Sequence, residues 1–415
     1  MAVCRSSKCT LRTSRLCLGD SKKSFVIWER HARHARLGPF HSSALMCNES
    51  RALIHSLAAI LLLAFAVCAV ALSTGTWGRF ATGLHDFLPL YVNARLLGSD
   101  QFYDAQAGFR EQQRIIGDYM PLCVNDRFPW QALLWYPLGL LPYPMAYWTY
   151  LAIQFGCFGG FVRVWLLSRD AVPWAVLYLP LIASILIGQD SVVLVFLLAA
   201  TIRCLELRRD TLAGILLALC TAKPQLFLLI PFVLLSHRRW VALRAATVGI
   251  LLLHAAGTIA AGPGWLKDWW QTVAYLRTQS GTDGYQALFN PSIFQFGVNA
   301  VTISFALLIA GAFGYSIFHC SSLLSGFAIA IIGSLLLAPH ASPADLPILL
   351  VSLTAVPFRG LAQWFRLFLL TPFPYWALTH GQPWNLLMPA LLMGTGAVLS
   401  EQYALAQRFR KVYQN

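Results

Sequence analysis

The chain has 415 residues, of which 57% are hydrophobic and 12% charged, and its mean hydropathy is +0.60. A soluble protein of this length carries roughly twice that fraction of charged residues, so the composition excludes an ordinary soluble domain. The net charge of +14 does not indicate nucleic-acid binding, because ten of the 31 Lys and Arg lie within residues 1–51, where basic residues anchor a cytoplasmic flank.

The apolar segments of the chain are long and uniform, beginning with residues 53–73. Residues 53–72 supply about twenty nearly uncharged positions, which is enough for a helix to cross a bilayer. A backbone in lipid must satisfy its own hydrogen bonds, so such segments form helices or barrel strands, and these lack the alternation of barrel strands. We therefore predict an all-α polytopic membrane protein with about 10–11 transmembrane helices and long extracytoplasmic loops.

Three parts differ in composition: a basic cytoplasmic tail (1–50), a transmembrane domain (51–403) and a short cytoplasmic tail (404–415). The first 45 residues are either a disordered tail or lie upstream of a later start at Met46. Four of the ten cysteines lie in the first tail, five lie in or beside apolar spans, and Cys123 lies in a predicted outer loop. Since no CxxC or metal-ligand spacing occurs, we predict neither a disulfide framework nor a zinc site. No other metal and no cofactor is predicted.

Charge and length predict the order of membrane crossings from a cytoplasmic N-terminus. The predicted crossings are 53–73, 145–167, 172–187, 190–204, 241–261, 293–318, 322–338, 346–357, 361–377 and 385–400. Residues 131–141 are too short to cross and are interpreted as an interfacial helix, a re-entrant helix or half of a hairpin. An amphipathic piece at 264–277 is predicted in an outer loop.

The stretch between two basic clusters, 203–209 and 237–240, is long enough for only one crossing, yet both clusters look cytoplasmic. Proline cannot donate to a helix ladder and disfavours a helical residue before it. We therefore predict two short helices that meet at Lys223–Pro224. Either the arms tilt in a thinned membrane, or Lys223 lies below the outer surface in a cavity lined by protein.

The predicted topology brings several polar residues to the outer ends of the spans: Asp86, Gln189, Asp190, Lys223, Gln225, His340 and Asp345. Ionisable residues at such places are costly and indicate function. Asp86 is either a helix cap or a general base. Lys223 either pairs with a carboxylate such as Asp190 or binds a phosphate.

Bland alternatives exist for the other candidates as well. His340 alone is more simply a structural histidine, and Asp345 could cap a helix. Arg95 and Tyr91 could be interfacial anchors. The combination of a base, cations, amides and aromatic rings on one membrane face fits a phosphorylated lipid substrate, with aromatic rings that suit stacking on a sugar. No motif for soluble nucleotides occurs in a fitting context, and no nucleic-acid partner is predicted.

Several stretches resemble glycosyltransferase family 87, whose members belong to the GT-C superfamily of polyprenyl-phosphate-sugar-dependent enzymes. The stretches are DFLPLYVNARLLGSDQFYD (86–104), FPWQALLWYPLGLLP (128–142), GQDSVVLVFLLA (188–199), LAGILLALCTAKPQLFLLIP (212–231) and APHASPADLPILL (338–350). Their order and spacing match the family along most of residues 53–400. The break at Lys223 and the stretch after the first span are the more specific pieces.

The resemblance implies a GT-C-type fold and transfer of a hexose, with mannose as the best-known case. The donor would be a polyprenyl-phosphate sugar and the acceptor a glycolipid or glycan, at the extracytoplasmic side of a bacterial inner membrane. Asp86 would be the general base. The implied phosphate-binding residues are Lys223, His340 and Arg95, and the implied substrate-binding residues are Phe87, Tyr91, Gln189, Asp190, Gln225 and Asp345.

Two positions depart from the family pattern: Asp190 stands where Asn is common, and Pro343 and Ala344 precede Asp345 where a Tyr often does. Both departures concern the acceptor pocket. A transporter or flippase of a lipid-linked saccharide is the alternative function, followed by a non-catalytic membrane scaffold. A transporter is expected to show an internal repeat and polar groups near the midplane, whereas here the polar groups gather on one side.

Overall fold

The computed structural model describes residues 39–117, 127–279, 290–380 and 383–414, and every regular element in these ranges is helical. The α-helices are α1 (Pro39–Ser73), α2 (Trp77–Thr82), α3 (Phe87–Leu96), α4 (Ala105–Ile116), α5 (Pro129–Gly139), α6 (Tyr143–Phe161), α7 (Val172–Val176), α8 (Leu179–Leu186), α9 (Ser191–Glu206), α10 (Asp210–Cys220), α11 (Ile230–Ser236), α12 (Trp240–Ala261), α13 (Trp265–Gln279), α14 (Ala300–Phe318), α15 (Leu323–Leu337), α16 (Leu349–Ala355), α17 (Leu361–Leu370), α18 (Phe373–Thr379) and α19 (Leu387–Gln414). A π-helical turn (Val162–Leu166) and short 3-10 turns lie between them, at Leu167–Arg169, Pro224–Phe227, Ile293–Phe296, Pro343–Ile348 and Trp384–Leu386.

The chain divides into two units, Met1–Leu53 and Ile54–Asn415. In the first unit the described part begins with α1 at Pro39. The rest of the predicted N-terminal tail lies outside the described residues, as does Cys123. The predicted domain boundaries at residues 50 and 403 therefore stay predictions.

Four of the described helical segments are long and apolar enough to cross a membrane: Ser50–Ser73, Tyr143–Arg169, Trp240–Ala261 and Ala300–Phe318. Shorter apolar helices accompany them. Large apolar side chains on these segments are widely exposed, such as Phe65 (74%), Ile259 (87%) and Leu307 (70%), as lipid contact requires. The prediction of an all-α polytopic membrane protein is confirmed, and the first predicted span falls within α1.

The break at Lys223 is confirmed: α10 ends at Cys220, and a 3-10 turn at Pro224–Phe227 leads into α11. Arg239 follows α11 and binds Asp210 at the start of α10, with Nη1 at 2.9 Å from Oδ1. The segment therefore doubles back, and both basic clusters lie on the same side with Lys223 at the far tip. The 11 residues of α10 place that tip about 16 Å from Asp210.

Two predicted crossings are divided in the structure. The sequence predicts one crossing at 172–187, but the structure splits this stretch into α7 and α8, because Pro180 in the first turn of α8 cannot continue the ladder from α7. The crossing at 361–377 is likewise split into α17 and α18, with Pro372 between them. Each piece is too short to cross a bilayer as one straight helix.

The short helix predicted at 131–141 is α5, which packs against α3 and α12. Gly139 approaches the backbone at Ala94, and Gly257 of α12 approaches the Trp130 backbone, so small residues allow both close contacts. The amphipathic piece predicted at 264–277 is α13, and Thr272 on it donates to the Tyr103 carbonyl at 3.0 Å. These contacts place α5 and α13 near the C-terminal end of α3 and the segment that follows it.

Candidate active site

Asp86 immediately precedes α3 and is half-buried. It occupies the N-cap position, but its carboxylate makes no capping hydrogen bond. Instead, Oδ2 accepts a hydrogen bond from Nε2 of Gln189. The simple reading of Asp86 as a helix cap therefore does not describe its side chain, which faces another segment of the protein.

The segment that carries Gln189 is a tight loop between α8 and α9. Gly188 has a φ of +71°, and a Cβ there would lie 3.1 Å from both the Cβ and the backbone nitrogen of Phe87. The backbone N–H of Asp86 donates to the Ile187 carbonyl at 2.9 Å. Glycine is needed because its missing side chain permits both the left-handed backbone and the close approach. These contacts bring the loop and Asp86 together.

Two polar side chains of α6 donate hydrogen bonds to backbone carbonyls of the same loop. Tyr150 donates its hydroxyl to the Gly188 carbonyl at 2.9 Å, and Gln154 donates its amide to the Gln189 carbonyl at 2.8 Å. Both side chains are fully buried. The loop is therefore held by backbone contacts on one side and by α6 on the other.

Lys223 lies at the tip of the hairpin formed by α10 and α11, and its side chain, which is 11% exposed, also contacts Gln189. Its Nζ donates to Oε1 of Gln189 at 2.7 Å and to Oδ1 of Asp345 at 2.7 Å. Oδ1 of Asp190 lies 3.1 Å away as an ion-pair contact. The hydroxyl of Ser191 is more distant, at 3.5 Å.

Asp190 is buried and joins two cations. Its Oδ2 accepts from Nη1 of Arg127 at 2.7 Å and from the amide of Gln131 at 2.9 Å, while Oδ1 faces Lys223. A buried carboxylate is costly unless charges and donors surround it, and both are present here. We call Asp86, Gln189, Asp190, Lys223, Asp345 and Arg127 the Lys223 network.

Asp345 lies in the 3-10 turn Pro343–Ile348 and is buried. Its Oδ2 accepts from the backbone N–H of Ser342 at 2.9 Å, while Oδ1 faces Lys223, so it serves both as a cap and as an ion-pair partner. His340, five residues earlier, is exposed, and its preceding residue is fixed by Asn290, which donates to the Pro339 carbonyl at 3.2 Å.

The aromatic residues predicted to bind substrate are covered. Phe87 has no exposed surface and packs among the rings of Tyr91, Tyr143, Tyr147 and Tyr150 at centroid distances from 4.8 to 6.0 Å. Tyr91 is 2% exposed and donates to the Leu141 carbonyl at 2.7 Å. In this conformation neither ring offers a face to a sugar, and both support α3.

Arg95 and Gln225 lie apart from the contacts of the Lys223 network. Arg95, at the other end of α3, binds Glu111 with Nε at 2.6 Å from Oε1, and this hydrogen bond raises the pKa of Arg95. Gln225 is half-exposed in the turn after Lys223, and its side chain makes no hydrogen bond in the described part of the chain.

Four residues of the site were missed by the sequence analysis: Arg127, Gln131, Tyr150 and Gln154. The amides of Gln131 and Gln154 interrupt apolar stretches, which is a recognisable signal of a buried polar contact. Arg127 carries no such signal, because its partner Asp190 lies 63 residues further along the chain.

The site offers a carboxylate at a half-exposed position beside buried, compensated charges, which suits proton transfer from a hydroxyl. His85, adjacent to Asp86, has a pKa lowered by its burial and by the nearby Arg79 charge. Within the described ranges, no three His, Cys, Asp or Glu side chains are grouped as a metal site requires. The prediction that no metal is bound stays a prediction.

The comparison with known families gives one result. The family model described as glycosyltransferase family 87 matches residues 129–343, a range that contains Asp190 and Lys223 and ends at Pro343, just before Asp345. No curated protein and no solved structure matches the chain.

Proposed function

This chain belongs to glycosyltransferase family 87, and on that premise we propose that it transfers a hexose from a polyprenyl-phosphate sugar to a hydroxyl of a glycolipid or glycan acceptor. Mannose is the first sugar to test. The site would face the periplasmic side of a bacterial inner membrane. A lipid-linked donor is consistent with a polar site on a protein whose helices are long and apolar enough to cross a membrane.

The proposal depends most on one observation: the Asp86 carboxylate lies at the N-terminal end of α3, where it accepts a hydrogen bond from the side-chain amide of Gln189. In the proposed reaction an acceptor oxygen attacks the anomeric carbon and its proton passes to Asp86. The bond between that carbon and the phosphate oxygen breaks, and the polyprenyl phosphate leaves with the electron pair. An ionised carboxylate accepts the proton directly.

The leaving phosphate needs positive charge or hydrogen-bond donors. Of the predicted phosphate partners, His340 is exposed beside the turn that carries Asp345, and we propose that it meets the phosphate. Arg95 is paired with Glu111 at the far end of α3. We further propose that Gln225, which is half-exposed in the turn that follows Lys223, contacts the substrate at the edge of the site.

The proposal is tested with purified protein in lipid nanodiscs, radiolabelled polyprenyl-phosphate mannose and membrane lipid extract as acceptor. We expect transfer by the wild type, and Asp86→Asn should lower the rate by about 100-fold to 10,000-fold, the usual contribution of a general base. The unfolding temperature should stay within a few degrees of that of the wild type, since the carboxylate makes no capping bond.

Asp104→Asn is the matched control. Asp104 caps α4 by accepting from the Gln106 N–H at 2.8 Å and is exposed. It should keep its activity, since asparagine also caps helices well. Equal transfer by the Asp86→Asn variant and the wild type would remove Asp86 as the base. Absence of transfer from every polyprenyl-phosphate sugar offered would overturn the proposed donor class.

A further inference from the structure

The side-chain amide of Gln189 has a single possible orientation. An ammonium group only donates hydrogen bonds, so the atom that faces Lys223 Nζ at 2.7 Å must be the carbonyl oxygen Oε1. Nε2 then points at the Asp86 carboxylate, which only accepts when ionised. Lys223 therefore determines that Gln189 presents a donor, rather than an acceptor, to Asp86.

The hydrogen-bonding capacity of Lys223 is already in use. An ammonium group has three N–H donors. Two of these donors point at Gln189 and Asp345, and the carboxylate of Asp190 lies 3.1 Å from Nζ as the third neighbour. A phosphate could bind Lys223 only by displacing one of these partners. Two buried carboxylates also already compensate its charge.

The partners of Lys223 are themselves immobilised. Asp345 is fixed by the Ser342 N–H, and Asp190 is fixed by Arg127 and Gln131. The backbone around Gln189 is fixed by Tyr150 and Gln154. The network therefore forms a rigid support that ends at the half-exposed carboxylate of Asp86.

We infer that Gln189 and Lys223 are positioning residues for the Asp86 carboxylate, and that Lys223 is not a ligand of the donor phosphate. Gln189 holds one carboxylate oxygen in place and favours the ionised form by donating to it. Lys223 acts through Gln189 by fixing the orientation of the amide. This inference rests on the proposed function, in which Asp86 is the base, and adds the residues that hold its carboxylate in place.

The inference is tested by titrating Asp86 directly, without substrate. The infrared carbonyl band of its protonated carboxyl is identified as the band that Asp86→Asn removes, and its intensity is followed against pH. Tyr150 interacts electrostatically with Asp86, and His85 directly precedes it. Lys223 is linked to Asp86 through Gln189, and the remaining charged groups of the network lie beyond Lys223: Asp190, Asp345 and Arg127. Their presence makes matched variants necessary.

Gln189→Glu has nearly the same shape but places a second carboxyl against Asp86 and removes the donor. We expect the Asp86 titration midpoint to move upward by roughly one pH unit or more, since neighbouring like charges disfavour ionisation. Gln189→Met removes the donor without adding charge and should give a smaller upward shift. Gln113→Glu, an exposed amide on α4, is the control and should leave the midpoint unchanged.

Lys223→Met alone removes the cation that pairs with Asp345, whereas Asp190 keeps Arg127, so the change is combined with Asp345→Asn. The double variant should also raise the Asp86 midpoint, because the Gln189 amide is no longer oriented. An unchanged midpoint in both the Gln189→Glu variant and the double variant would overturn the inference. A donor-substrate KM raised in the double variant with no change in the midpoint would instead restore Lys223 as a phosphate ligand.

The outcomes separate this inference from the proposed function. A shifted midpoint in a protein that transfers no sugar would support the positioning role and overturn the donor class. Sugar transfer that depends on Asp86, with an unshifted midpoint, would support the enzyme and overturn the positioning role.

Discussion

Gly188 determines where the partner of Asp86 points. Its backbone has a positive φ, and its Cα packs against Phe87, the residue that follows Asp86. A side chain at this position would meet both the steric cost of the left-handed region and the Phe87 backbone. Gln189, the next residue, would be displaced with it.

Gly188→Ala is therefore expected to lower both stability and activity. Gly75→Ala is the matched control, because Gly75 has nearly the same φ of +70° but open space around it. The control should cost about 1–2 kcal/mol for the backbone conformation alone. Gly188→Ala should cost more and should reduce sugar transfer. Thermal unfolding in detergent and the transfer assay measure both effects, and equal results for the two variants would contradict this account.

The sequence was sufficient to group Asp86, Gln189, Lys223 and Asp345, because each follows or precedes an apolar stretch on the same predicted side. It could not show which atoms bind each other. The contacts of Lys223 span 34 residues to Gln189 and 122 to Asp345, so no local pattern records them. The same limit applies to Phe87, since the sequence does not reveal which face of a short helix is covered by four other rings.

At the scale of elements, the α10–α11 hairpin explains how a lysine is held within an apolar region. The break at Pro224 leaves Lys223 in a non-helical conformation, with φ −131° and ψ 74°. The hairpin base is tied by Arg239, which also donates to the Leu205 carbonyl at 3.0 Å. The sequence predicted the break from proline chemistry, whereas the splits at Pro180 and Pro372 were overlooked within longer apolar runs.

The hairpin depends on a close crossing of α10 and α12. Gly214 of α10 lies against the Ala242 carbonyl and would place a Cβ 2.6 Å from that of Ala245. Gly214→Ala should therefore push the helices apart and destabilise the protein by about 1–3 kcal/mol, the usual cost of overpacking. The expected result is a lower unfolding temperature together with reduced activity, because Lys223 moves with α10.

Gly311→Ala in α14 is the control for helical propensity. A Cβ added at Gly311 would have no neighbouring atom within 4 Å, so alanine there meets open space. Since alanine favours helix by about 1 kcal/mol over glycine, the variant should be neutral or slightly more stable. A similar loss of stability in both variants would show that the crossing of α10 and α12 is not the cause.

At the scale of the Ile54–Asn415 unit, polar groups are concentrated at two levels. Arg169, Glu206, Arg203, Asp210 and Arg239 interact at one end of α9 and α10. The Lys223 network lies at the other end of the same helices. The 11 residues of α10 and the 16 residues of α9 place the two levels about 16 to 24 Å apart, which is less than the roughly 30 Å thickness of the hydrocarbon core.

This separation predicts opposite labelling of two introduced cysteines in a background without native cysteines. Gln113→Cys on α4 should react with a membrane-impermeant maleimide applied to the outer side of the intact membrane. Leu207 is 52% exposed and follows Glu206 at the end of α9 that carries the Arg169, Glu206 and Arg203 contacts. Leu207→Cys should react only after permeabilisation. The positive-inside rule gives this orientation. Labelling of both positions from one side would contradict the predicted topology.

The ion pair between Lys223 and Asp345 also constrains biogenesis. A ribosome that has synthesised the α10–α11 hairpin has yet to make the turn that contains Asp345, which lies 122 residues later. Until that turn emerges, Asp190 is the one ion-pair partner of this lysine among the described residues already synthesised. The tip of the hairpin can therefore make all of its contacts only late in synthesis. In a chain truncated before residue 343, Lys223 would lack Asp345, and we expect membrane proteases to degrade such a chain faster than the full-length protein.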